Sequence, residues 1–105
     1  MKELLITKNE PLEIYFNFAK NILGEDIDVS TYRFAIFNEE VETINVEEAI
    51  LFEEIEFKIT PEQYRVCLKL TSEQTNQPIG TYYGYFVKSN NSEWEIIFER
   101  TIELQ

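Results

Sequence analysis

Histidine is missing from these 105 residues, cysteine occurs once, and glycine and proline occur only three times each. Without histidine, the usual serine-hydrolase, zinc and imidazole acid–base mechanisms lack their base or ligand. No glycine-rich nucleotide loop is present either. The lone Cys67 has no internal disulfide partner, which suits a reducing compartment or a protein indifferent to redox state. Scarce glycine and proline argue against a linker and mark each such residue as a turn candidate. Cations are few as well: nine Lys and Arg against twenty Asp and Glu give a net charge of −11. That charge repels nucleic-acid phosphates and anionic membrane surfaces, so neither is an expected partner. The opening MKELLITKNEP holds no apolar stretch long enough for a signal peptide, and no run approaches the roughly eighteen apolar residues of a membrane span. The expectation is a chain made in the cytoplasm that stays soluble, with no membrane insertion.

What the chain does have is aromatic bulk. Eight Phe and six Tyr within a 44% hydrophobic composition exclude a disordered tail. The length suits one domain over residues 1–105 with a core of its own. Period-two alternation dominates, at spacings too short for βαβ units. Leu4 and Ile6 open a short strand, Asn9-Glu10-Pro11 turns, and Leu12, Ile14, Phe16 and Phe18 alternate with Glu13, Tyr15 and Asn17. Asn21 to Ser30 reads as a polar loop, followed by a strand carrying Tyr32, Phe34 and Ile36. Val41–Val46 and Ile50–Ile59 read as two further strands, although residues 46–52 also suit a short helix. Thr60-Pro61-Glu62-Gln63 has the chemistry of a capped helical turn, and Ser72–Thr75 suits a second one. Tyr64, Val66, Leu68 and Leu70 restore the period of two.

The run from Thr71 to Ser89 is a turn-rich loop closed by Pro78 and Gly80, leading into a strand with Tyr82, Gly84 and Phe86 on one face. A terminal hairpin turns at Asn90-Asn91 and places Trp94, Ile96, Phe98, Ile102 and Leu104 on one side. The fold class that follows is all-β: an immunoglobulin-like antiparallel β-sandwich of about seven strands, with at most short helical turns.

Three stretches carry a family likeness: LLITKNEPLEIYFNF, IDVSTYRFAIF, and LKLTSEQTNQPIGTYYGYF followed by WEIIFERTIEL. Together they resemble the immunoglobulin-like domains of tailed-phage and prophage structural proteins, in particular the N-terminal domain of baseplate upper proteins and related tail or fibre modules. Departures from that pattern fall at Asn9 and at Thr101, where glycine is common in such domains. The resemblance implies a non-enzymatic assembly module that docks to other virion or tail proteins or to itself. It would reside in the bacterial cytoplasm during assembly and in the virion afterwards. No catalytic residue, metal or cofactor is carried over.

Several residues stand out as candidates. Tyr82, with Pro78, Gly80 and Gly84, fits a structural corner in which the Tyr82 hydroxyl bonds nearby backbone. Tyr83 and Tyr85 point to the opposite face of that strand, and Tyr15 and Phe37 escape the core by the same alternation. Such aromatics either form a partner surface or pack beneath a loop. Arg100 interrupts the inward row of the last strand, so either a bulge turns it outward or a carboxylate pairs it; at a strand end it is also available to a neighbouring subunit. Between Glu39 and Glu56 lie eight Glu and no cation. This strip reads as a solvated face or a steering surface for a basic partner, ahead of a glycosidase pair or, with Asp26 and Asp28, a calcium site. Cys67 sits between Arg65 and Lys69 but lacks a histidine partner for nucleophilic work. Three functional classes stand: an assembly module, a recognition module for carbohydrate or peptide using the Tyr83 and Tyr85 face or loop ends, and, last, a carboxylate-based hydrolase.

Overall fold

The computed structural model describes residues 3–19, 29–59 and 61–105. Among these residues eight strands follow in order: β1 (Glu3–Ile6), β2 (Leu12–Ala19), β3 (Tyr32–Phe37), β4 (Leu51–Glu54), β5 (Glu56–Ile59), β6 (Gln63–Leu70), β7 (Gly80–Asn90) and β8 (Glu93–Leu104). They form a five-stranded sheet in the order β1-β8-β7-β3-β4 and a three-stranded sheet in the order β2-β6-β5. The two sheets pack as an immunoglobulin-like β-sandwich, with β2, β6 and β5 in the places of strands B, E and D. The larger sheet follows the order A′-G-F-C-C′, β1 lying parallel to β8.

The alternation read from the sequence places the sandwich core. Phe34, Phe86 and Tyr32 from the larger sheet meet Val66, Leu68 and Tyr64 from the smaller, each no more than 1% exposed. Phe86 is the hub, its ring 5.3 Å from Phe18, 5.3 Å from Tyr32 and 5.4 Å from Phe98. Such ring clusters add geometric preference to the large area each aromatic buries.

Four local readings differ from the alternation pattern. Val41–Val46 is not a strand: the chain is irregular there, then forms a 3-10 turn over Val46–Glu48 capped by the Asn45 side chain, which accepts from Glu47 N–H at 3.2 Å. The expected strand Ile50–Ile59 breaks at Ile55, where the chain leaves the five-stranded sheet as β4 and enters the other as β5. Ile55 itself drops into the core, 8% exposed. The capping-box turn expected at Thr60–Gln63 is absent from the described part of that stretch: Pro61 and Glu62 bend and Gln63 already opens β6, while Thr60 lies outside the described residues. The same residue pattern closes eleven positions later instead, where Thr71 Oγ1 accepts from Gln74 N–H at 3.1 Å and Gln74 Oε1 accepts from Thr71 N–H at 2.8 Å. The loop expected at Asn21–Ser30, with Asp26 and Asp28, falls largely outside the described residues.

The fourth difference lies in the terminal hairpin. Its turn is Asn91-Ser92, with φ of 50° and 69°, the left-handed pair that a two-residue hairpin requires. Farther along, Phe86 opposes Phe98 but Val87 opposes Ile96, so Ile97 is an extra residue in β8. One extra residue inverts the facing of everything before it. Trp94 and Ile96 therefore lie on the outer side of the sheet, while Phe98, Arg100, Ile102 and Leu104 stay in the inward row.

Candidate interaction surfaces

On the outer side of the five-stranded sheet, Ala35, Phe37, Tyr85 and Val87 are buried as a second apolar cluster, joined by Phe52, Tyr83, Trp94 and Ile96. The segment from Asn38 to Ile50 lies over them like a strap, contributing Val41, Ile44 and Ala49. Trp94 meets Phe52 edge-on at 5.0 Å, and Phe37 meets Tyr85 edge-on at 5.7 Å. The Tyr85 hydroxyl accepts the Val41 N–H at 2.9 Å, satisfying its polar end beneath the strap.

Tyr85, offered by alternation as an exposed partner residue, is thus corrected: it is wholly buried. Desolvation raises its pKa. Phe37 is buried with it and Tyr83 is half-buried. The simple rule fails because this sheet has both faces covered, one by the other sheet and one by the strap. The five Glu of residues 38–50 face outward on the strap, and Glu53 reaches a different partner, accepting from Gln74 Nε2 at 2.7 Å. No group of three or more acidic or thiol side chains able to hold a metal ion occurs among the described residues.

At the corner, Tyr82 donates its hydroxyl to the Pro78 carbonyl at 2.6 Å. Gly80 has φ of 153°, in the region that favours glycine, at the point where loop becomes strand. Gly84 sits directly below Phe34; a Cβ there would lie 2.8 Å from Phe34 Cζ and 2.9 Å from Ile102 Cδ1. Arg100 opposes Gly84 in β8 and remains on the inward row. The bulge at Ile97 does not turn it outward, and no carboxylate pairs with it among the described residues. Its guanidinium runs out over the Phe98 ring, 4.5 Å from the centroid, and donates to the Glu99 carbonyl at 2.8 Å. The arrangement keeps the charge at the open flank while the stem covers apolar surface.

The outer face of the three-stranded sheet has a different character. Tyr15 on β2 is 52% exposed, donates a short hydrogen bond to the Glu13 carboxylate, and lies 5.6 Å from the Arg65 guanidinium across on β6. That bond, with lesser contributions from its surroundings, pushes the Tyr15 pKa up to about 12. Asn17 Oδ1 accepts from Arg65 Nε at 3.3 Å, and Lys69 pairs with Glu56 at 3.2 Å. Cys67 is buried at the centre of this face, and burial, with the Glu13 charge next, raises its pKa. A thiol so placed is held protonated, away from nucleophilic use. Three cations, Lys58, Arg65 and Lys69, stand against two carboxylates, Glu13 and Glu56, so this face is net +1 in a chain of −11. Sequence reading missed that contrast because the cations are scattered along the chain and only the β2-β6-β5 pairing gathers them.

Inside the sandwich, a cavity of about 30 Å³ lies among Ile6, Leu70, Tyr82 and Leu104. It is far below the several hundred Å³ of a small-molecule site. No helix among the described residues is long and apolar enough to cross a membrane. No family model, curated protein or solved structure matches the chain.

Proposed function

We propose that this immunoglobulin-like sandwich is a non-enzymatic structural or assembly module of a phage or prophage particle, of baseplate or tail type, acting through protein–protein contacts. The observation that carries the contact reading is the uneven surface: an acidic molecule whose five-stranded sheet is capped by its own strap, while the β2-β6-β5 face is open, locally cationic and bears the exposed Tyr15. Exposed tyrosine beside arginine is the composition that anchors protein interfaces. The acidic strap would repel copies that approach face-on and so restrict which surfaces meet. The particle context rests on the resemblance of the three quoted stretches to phage structural domains. Mass spectrometry of particles sedimented from an induced culture of the source strain tests it. Peptides of this chain at stoichiometric levels with capsid and tail proteins are the expected result; absence from well-formed particles would overturn the reading.

A second reading is a recognition module for carbohydrate or peptide. With Tyr85 buried, its surface would be the cleft of about 310 Å³ between strap and terminal hairpin, where Glu42, Glu93 and the half-buried Trp94 meet. Trp94→Ala would then remove ligand binding and leave the fold standing, whereas an assembly module would keep its contacts in that variant.

A further inference from the structure

A sheet edge is an open row of N–H and C=O groups, and folded proteins guard such edges with shortness, bulges or inward-pointing charge. In the larger sheet, β4 is four residues long and turns Glu53 toward the inner face, opposite Phe34. Beyond the four residues of β1, the flank of β8 carries the bulge at Ile97 and the inward Arg100. In the smaller sheet, β5 is four residues long. The remaining edge, β2, has none of these devices. It runs eight residues in unbroken register against β6, from Leu12 opposite Leu70 to Ala19 opposite Gln63, with no bulge and no inward charge. Its inward row of Leu12, Ile14, Phe16 and Phe18 is only half-buried, so the flank of the core is open there. No strand among the described residues takes the place beside β2 that strand A fills in an immunoglobulin-like sandwich.

We infer that β2 pairs antiparallel with β2 of a second copy, joining two three-stranded sheets into one of six strands about a two-fold axis. This inference rests on the contact-module reading and names its surface and partner. Self-complementarity singles out the occupant. Antiparallel neighbours share a face, so a two-fold at Tyr15 sets Tyr15 against its own mate, Ile14 against Phe16, Leu12 against Phe18, and Glu13 against Asn17. Arg65 already donates to Asn17, so the Glu13 carboxylate of each copy would arrive beside an asparagine–arginine pair of the other. The net +1 charge of this face lets two chains of −11 approach there with less repulsion than across the acidic strap.

The register gives a sharp test. Directly opposed residues have Cα atoms about 5 Å apart, within disulfide range, whereas Asn17 and its mate would be about 14 Å apart. In a Cys67→Ser background, which prevents an internal bond across the Tyr15–Cys67 pair, Tyr15→Cys should form a covalent dimer under mild oxidation and Asn17→Cys should not. Sedimentation velocity of the unaltered chain should show its mass doubling as concentration rises. Tyr15→Lys, which sets two like charges at the axis on an exposed position, should stay monomeric while its circular dichroism remains that of the parent. A parent chain monomeric at every concentration, or equal cross-linking at positions 15 and 17, would overturn the inference. A chain found at stoichiometric levels in particles yet monomeric would sink the pairing alone. A dimer absent from particles would sink the particle reading alone.

Discussion

The Tyr85 hydroxyl accepts the backbone N–H of Val41 at 2.9 Å, tying the centre of β7 to a segment 44 residues upstream. With the Ile50 N–H, which donates to the Ile36 carbonyl at 2.8 Å at the end of the segment, this bond holds the Asn38–Ile50 strap against an otherwise apolar sheet face. Replacing Tyr85 with Phe keeps the ring against Phe37 and strands the Val41 N–H beneath it. The expected cost is about 1–3 kcal/mol in denaturant unfolding. Hydrogen exchange should quicken first at Val41 and its neighbours and stay unchanged in the Phe86 core.

Gly84 has a steric reason to be glycine. Phe34 is 1% exposed and pinned between the sheets, so it cannot retreat from a methyl group 2.8 Å away. Gly84→Ala should destabilise the fold by roughly 1–3 kcal/mol, the range for overpacking a tight core. An unfolding midpoint equal to that of the parent would show that the sandwich relaxes more easily than its packing indicates.

The Glu13–Tyr15 bond makes stability fall at alkaline pH. Tyr15 in the folded chain holds its proton up to about 12, against 10.0 for the free side chain. Between those values the folded state binds more protons than the unfolded one, so stability is fully present below pH 10.0 and is lost as pH rises toward about 12. A tyrosinate absorbance titration should show one late-titrating ring at the surface, brought earlier by Glu13→Gln. The same substitution should speed alkylation of Cys67, because Glu13 is second only to burial among the causes that raise its pKa.

Most strands were legible because rows such as Tyr32, Phe34 and Ile36, or Tyr64, Val66, Leu68 and Leu70, recur at a strict period of two. The misreadings have physical causes. Val41 and Ile44 look like strand residues because they are half-buried, yet what they cover is a sheet face and no strand pairs with them. Trp94 and Ile96 appeared inward because parity counting from Leu104 does not see an extra residue at Ile97. Thr60–Gln63 and Thr71–Gln74 carry the same cap chemistry, and local sequence does not say which of them continues straight into a strand. Tyr15 was legible as an outward aromatic. The open edge it stands on was not, because edge position is a property of the sheet order.

The most direct measurement is hydrogen exchange of the β2 amides at low and high protein concentration. Antiparallel pairing at this edge requires that the amides of Leu12–Ala19 directed away from β6 exchange fast in dilute solution and slow as concentration rises, with the free flank of β8 unchanged. Exchange along β2 that is independent of concentration, at concentrations where the chain sediments as a dimer, would contradict the assignment of β2 as the contact.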